Sequence, residues 1–147
     1  MFRGNNPAKI DEKGRLKVPA AFKALMDAAN VTQFFVTSTS GKFAEVWPLP
    51  EWEKIEAKLA KASTLDDDAD AYRDLVNYYG QQVEMDNQGR ILLPQILRDK
   101  ARLDGEVIVI GKGNLLAVHN RETFEKALPE GLTEERRRKV AALLSEL

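Results

Sequence analysis

Apolar and polar residues alternate one by one over short stretches of this chain, and those stretches recur in two blocks separated by residues at helical spacing. In the first block Leu16 and Val18 share one face of a period-two run, and Ile91 and Leu93 do the same in the second. Pro19 and Pro94 end these runs. Each suits the first turn of a helix, predicted over Ala20–Ala28 and Gln95–Ala101. Short strands are predicted ahead of the runs at Ala8–Ile10 and Gln82–Met85. Strand pairs are predicted after them, Phe34–Thr37 with Glu45–Trp47 and Val107–Ile110 with Leu115–His119, through turns holding Gly41 and Gly111-Lys112-Gly113. Between the blocks, Trp52, Ile55 and Leu59 fall on one face of a predicted helix over Pro50–Ala62. Ser63-Thr64-Leu65-Asp66 reads as a break before a second helix that reaches Tyr79. A last helix starts near Thr133, which has N-cap character, with an apolar edge of Val140, Leu143, Leu144 and Leu147.

The two blocks are copies. Asp11-Glu12-Lys13-Gly14-Arg15-Leu16-Lys17-Val18-Pro19 returns as Asp86-Asn87-Gln88-Gly89-Arg90-Ile91-Leu92-Leu93-Pro94, at an offset of 75. Phe22-Lys23 continues the match onto Leu97-Arg98. At an offset of 72, Gly41 falls on Gly113, Val46 on Val118, and Trp52-Glu53-Lys54 on Phe124-Glu125-Lys126. In each copy the Asp can accept turn N–H groups while Gly supplies a positive φ. Halves of about 45 residues are marginal alone, so the repeat predicts one shared core.

Composition narrows the classes of function. Forty-four per cent hydrophobic and 31% charged residues describe a globular core with a soluble surface. No apolar run is long enough to span a membrane, and the first residues lack the apolar stretch of a secretory signal. The absence of cysteine excludes disulfides, thiolate zinc sites and a cysteine nucleophile, and a single histidine excludes multi-histidine metal motifs. These features predict a cytoplasmic protein. The net charge of −1 and pI near 5.9 argue against indiscriminate binding to nucleic acid. That total hides opposed blocks: residues 1–23 carry six cations against two carboxylates, a net of +4, and residues 51–79 carry a net of −4. A basic face for a polyanion is therefore available.

Arg15 and Arg90 are the leading candidate site residues. Each follows a turn glycine and lies four residues after Asp11 or Asp86. A guanidinium there can meet phosphate or a base edge, or it can pair with its Asp and lock the turn. Arg3, Lys9, Lys13 and Lys17 surround the first motif and favour contact there; the second has uncharged Asn87-Gln88 in place of Glu12-Lys13. The Asp66-Asp67-Asp68-Ala69-Asp70 run has Ala71 and Asn77 where a calcium loop needs Gly and Glu, so it reads as a solvated helix start. Gly111-Lys112-Gly113-Asn114 and Ser40-Gly41-Lys42-Phe43 read as hairpin turns rather than phosphate loops. His119 reads as a surface or core-edge residue, and Trp47, Trp52, Phe34, Phe35 and Phe43 read as core. Arg136-Arg137-Arg138-Lys139 is either a solvated helical face or a nucleic-acid contact. With no catalytic constellation, neither an enzyme nor a small-molecule substrate is expected, and no cofactor or metal is expected.

Met1-Phe2-Arg3-Gly4, the run Ile10 to Phe22 and the second motif at Asp86–Arg90 resemble the MraZ family of bacterial transcriptional regulators, within the AbrB-like swapped-hairpin superfamily. The resemblance runs from Met1 to about Leu128. It implies an α+β fold of tandem swapped-hairpin β-barrel halves related by a pseudo-two-fold axis, with connecting and C-terminal helices. The divisions expected are residues 5–50 and 80–124 for the two repeats, 51–79 for a helical connector and 132–147 for the last helix. The resemblance also implies a homo-oligomeric ring and DNA contact through Asp11 and Arg15, and Asp86 and Arg90. It implies repression of the protein's own cell-division and cell-wall operon, through short repeats in double-stranded promoter DNA, from a place in the nucleoid. Asn5-Asn6-Pro7 departs from the family pattern at the approach to the first strand. The competing expectation is an antitoxin-like module that binds a partner protein.

Overall fold

Leu16 lies directly across the sheet from Ile91, its own counterpart in the repeat, and both side chains are fully buried. The rest of the architecture is arranged around that pair. In this computed structural model, which describes residues 1–146, the first copy comprises β1 (Asn5–Ile10), β2 (Arg15–Lys17), α1 (Ala20–Ala28), β3 (Gln33–Thr37) and β4 (Ala44–Pro48). Helices α2 (Leu49–Leu59) and α3 (Asp67–Tyr78) lead to β5 (Gln81–Glu84), β6 (Arg90–Leu92), α4 (Gln95–Ala101), β7 (Gly105–Gly111) and β8 (Leu116–Asn120) of the second. Then come α5 (Arg121–Ala127) and α6 (Glu134–Ser145).

The strands form one antiparallel sheet in the order β5-β3-β4-β8-β7-β1-β2-β6. Its outer strands, β5 and β6, are consecutive in sequence and meet through the Asp86 turn, where the Asp86 N–H donates to the Arg90 carbonyl at 2.9 Å. The result is a nearly closed eight-stranded barrel. Exchanging each strand for its counterpart in the other copy, and reading the strands as a closed ring in the opposite sense, returns the same order, which is the pseudo-two-fold symmetry that the repeat predicts. The halves are interleaved: β1 pairs along its whole length with β7 of the other copy, and β5 pairs with β3. Within the first copy, β1 meets β2 only at Ile10 and Leu16.

Alternation explains the interior. Leu16, Phe34, Val36, Val46, Ile91, Val107, Val109, Leu116 and Val118 all point inward, and Phe22, Met26, Leu97 and Leu103 from the α1 and α4 segments close the interior. A second cluster lies outside β3 and β4, where Trp47, Trp52 and Val76 pack with Phe35, Ile55 and Tyr72 beneath α2 and α3. Phe35 stacks on Trp52 at 4.8 Å. The expected aromatic core therefore divides: Phe34 is inside the barrel, Trp47, Trp52 and Phe35 are beneath the connector, and Phe43 is half-buried.

Pro7 sits within β1 although it has no N–H to donate. Gly111 N–H bonds to the Gly4 carbonyl, so by antiparallel alternation Pro7 opposite Ile108 is a non-hydrogen-bonded position and its nitrogen faces away from β7. The departure at Asn5-Asn6-Pro7 thus leaves the strand intact. Helix α2 ends earlier than its apolar face suggests, because Lys61 and Ala62 tighten into i→i−3 turns and Arg73 Nη2 takes the Leu59 carbonyl at 2.9 Å. Asp66 caps α3, accepting from the N–H groups of Asp68 and Ala69 at 3.0 Å, which accounts for the acidic run as a helix start. Thr133 caps α6 in the same manner. Helix α5 is the element missing from the expected set; it occupies the position that α2 holds in the first copy, where Phe124 matches Trp52. Val140, Leu143 and Leu144 are exposed on α6, while Leu147 lies outside the described residues.

His119 is a core-edge residue, its ring 4.4 Å from those of both Phe43 and Phe124. Burial, with the nearby Lys112 cation, lowers its pKa to about 4. An unfolded chain takes up that proton near pH ~6.5, so the free energy of folding contributed here is complete above that value and declines down to about 4. The thermal midpoint should fall as pH drops across this window, and His119→Phe should flatten that part of the curve. An unchanged slope in the variant would contradict the assignment.

Candidate nucleic-acid interface

Both Asp-x-x-Gly-Arg turns have the same hydrogen bonds. Asp11 Oδ1 accepts from the N–H groups of Lys13 and Arg15, each at 2.9 Å, and Asp86 Oδ1 accepts from Gln88 and Arg90 at the same distance. Gly14 and Gly89 have φ of +84° and +74°, a region open to glycine at little cost. The second carboxylate oxygen holds the guanidinium: Arg15 Nε is 2.7 Å from Asp11 Oδ2, and Arg90 Nε is 2.8 Å from Asp86 Oδ2. The turn-locking pair that the spacing allowed is therefore present in both copies. It occupies only Nε, and the Nη donors have no protein partner among the described residues.

These bonds also set the carboxylates. The Arg15 N–H, then its guanidinium and the Lys13 N–H, hold Asp11 below the usual carboxylate range despite some desolvation. At Asp86 desolvation pulls upward, and the N–H groups of Arg90 and Gln88 with the Arg90 guanidinium outweigh it. Both turns thus gain stability that is present above the ordinary carboxylate value and lost as pH falls through the depressed ones, a lower window than that of His119.

Strand pairing brings the two turns together. Arg15 is opposite Leu92, Leu16 opposite Ile91 and Lys17 opposite Arg90. Val18 N–H donates to the Gly89 carbonyl and Leu93 N–H to the Gly14 carbonyl, each at 3.0 Å. Because Leu16 and Ile91 point inward, alternation places Arg15, Lys17, Arg90 and Leu92 together on the outer face of the β2–β6 ribbon. Lys17 Nζ donates to the Gln88 carbonyl at 2.8 Å, so the second turn, with uncharged Asn87 and Gln88 in place of Glu12 and Lys13, gains a cation from the first copy.

Two further cations arrive by the same interleaving. A Cβ on Gly14 would collide with the Arg98 guanidinium, and one on Gly89 would lie 2.9 Å from Lys23 Cε. Each turn glycine is thus covered by a basic side chain from the other copy, with Arg98 anchored through Nε to the Leu93 carbonyl at 2.9 Å. In the sequence Arg98 stands out only as an extension of the repeat, and Lys23 as that and as one cation of the +4 block. Their matched positions just beyond the motif were the available signal, but strand exchange was needed to aim them.

Of the other candidates, Lys13 stays with the paired turns and the rest are placed elsewhere. Lys13 is exposed on the first turn, and Lys9 is exposed on the outer side of β1 opposite Glu106. Arg3 is exposed beside the Phe2–Gly113 bridge, at the far end of β1 from the turn. At ~3.3 Å per residue that is roughly 20 Å away. The Arg136–Lys139 run lies on α6, outside the sheet that carries the β2–β6 ribbon. Arg138 and Lys139 face Glu134 and Glu135 at 3.6 and 3.2 Å on an exposed helix. No helix among the described residues is long and apolar enough to cross a membrane.

Residues 1–75 and 80–146 match the family model described as "MraZ protein, putative antitoxin-like", one stretch for each copy of the repeat. Over 126 residues the chain is 54% identical to a protein of Acidobacterium capsulatum named transcriptional regulator MraZ, covering 86% of both chains. It is 50% identical over 129 residues to the protein of that name from Koribacter versatilis, covering 87% of this chain and 88% of the relative. With the Thiobacillus denitrificans protein of that name it shares 34% identity over 133 residues, 90% of each.

Proposed function

The chain belongs to the MraZ family, and from that membership and the geometry of the β2–β6 ribbon we propose that it is a transcriptional regulator that binds double-stranded DNA. The observation that carries this reading is the pairing of the two Asp-x-x-Gly-Arg turns, which gathers Arg15, Lys17 and Arg90 on one face of a two-stranded ribbon. A ribbon of this kind fits a major groove about 12 Å wide, where arginine forks can meet guanine and the lysines can meet phosphate. The pre-set Asp–Arg pairs hold the guanidiniums in place before binding, which limits the conformational entropy lost on contact. No reacting group or cofactor is part of this reading.

A single small basic face on a chain of net charge −1 binds DNA weakly and with strong dependence on salt. Several copies on a closed ring, each engaging one of a set of short promoter repeats, gain affinity through effective concentration. The regulated site is the protein's own cell-division and cell-wall operon, which it represses from the nucleoid within the cytoplasm. A gel shift with the DNA upstream of its own gene should give a retarded complex at concentrations where a scrambled duplex of equal length gives none. Equal binding to both duplexes would overturn the reading.

The exposed Val140, Leu143 and Leu144 on α6 are the feature best suited to contact between copies. Light scattering should return a mass several times 16.5 kDa at micromolar concentration. A monomer would remove the ring and the multivalent argument. The same apolar edge also suits the antitoxin-like alternative, and a pull-down that returns one small stoichiometric partner protein would favour it.

A further inference from the structure

We propose that Leu92 is a sequence-reading side chain that packs against the C5-methyl group of a thymine beside the base pair approached by Arg15. The inference rests on the DNA-binding reading above and deepens it.

Leu92 is 42% exposed, between Ile91 and Leu93, which are both fully buried, and it belongs to neither core cluster. A lone exposed leucine is ordinary on a protein surface, so exposure alone decides nothing. Register is what singles this one out. Leu92 stands directly opposite Arg15, and its neighbour two residues back along β6, Arg90, stands opposite Lys17. Three of the four outward positions of the ribbon are cations and the fourth is aliphatic. In the repeat, Leu92 occupies the position of Lys17, so the pseudo-two-fold symmetry is broken at this point on the face.

A face built only for phosphate would gain from a lysine at both positions. DNA phosphates offer an aliphatic side chain no apolar surface, whereas the major groove offers one apolar feature, the thymine methyl. Directly paired side chains leave the sheet about 5 Å apart, and base pairs rise about 3.4 Å. Arg15 and Leu92 therefore reach the same or neighbouring base pairs, with Arg15 to a guanine and Leu92 to a thymine.

The test uses the full chain and the shortest duplex from upstream of its own gene that it binds in preference to a scrambled one. Each thymine is replaced singly by deoxyuridine, which removes only the methyl group. The unmodified chain should lose about fourfold in affinity at one thymine of each bound site, the value for one buried methyl. Leu92→Ala should lose a similar factor on the thymine duplex and show no further loss with deoxyuridine there, while Arg15→Ala keeps that sensitivity. Leu92→Lys, which copies the first repeat, should also be insensitive and should bind scrambled DNA more tightly. If the unmodified chain shows no preference for upstream DNA, the DNA-binding reading falls and this inference with it. Preferential binding with no sensitive thymine, or with full sensitivity kept in Leu92→Ala, overturns this inference alone.

Discussion

Arg15→Ala is expected to weaken binding to the DNA upstream of its own gene by about 5- to 150-fold per engaged chain, the range for a lost arginine–base contact. Two effects act in the same direction. The contact itself disappears, and the Asp11 carboxylate loses its guanidinium partner at 2.7 Å, leaving an uncompensated negative charge beside the phosphates. On a ring the loss recurs at every engaged copy, so the apparent effect exceeds the single-site value. Folding should change little. Asp11 Oδ1 still accepts the N–H groups of residues 13 and 15, and the pair is partly exposed, with side chains 28% and 35% accessible. Thermal midpoint, oligomer mass and affinity measured on one preparation separate the roles. Unchanged affinity in an intact oligomer would refute the contact. Arg90→Ala should cost less, because its turn has Asn87 and Gln88 where the first has Glu12 and Lys13, but Lys17 beside that turn narrows the gap.

Leu16→Ala is expected to have the largest effect on stability. Leu16 is fully buried opposite Ile91, where the β2–β6 pairing joins both copies. Truncating a leucine in a filled core costs about 2–5 kcal/mol. For a chain of this size that lowers the thermal midpoint by on the order of 10 °C. Because the pair lies directly beneath the outer face, affinity should fall at temperatures where the protein is still folded. A midpoint within a degree or two of the unmodified chain would show that the barrel does not depend on this layer.

Much of this molecule was legible because its local signals and its global arrangement agree. Pro19 and Pro94 marked the starts of α1 and α4, whose ranges match those expected. The repeated motif carried the paired turns and the shared core. The strand ends were less legible. Asn5 to Pro7 carry no apolar alternation, yet they belong to β1 because β7 of the other copy supplies their partners. Helix α5 was missed because seven residues, with Phe124 as their main apolar anchor, give too short a periodicity to stand out. The placement of Lys23 and Arg98 follows from strand exchange, a long-range property that no window of sequence expresses. For the same reason the +4 block at the start of the chain divides in space: Lys13, Arg15, Lys17 and Lys23 gather at the ribbon and Arg3 does not.

DNA is expected on the β2–β6 ribbon rather than on the basic run of α6. Two double variants that remove the same charge test that choice: Arg15→Ala with Arg90→Ala, and Arg136→Ala with Arg137→Ala. Affinity for the upstream duplex is measured for both at one salt concentration, with oligomer mass checked on each sample. Contact at the ribbon predicts a loss of roughly 100-fold or more for the ribbon pair and a change within about threefold for the α6 pair. Equal losses in the two variants, or a larger loss from the α6 pair in an intact oligomer, would contradict it.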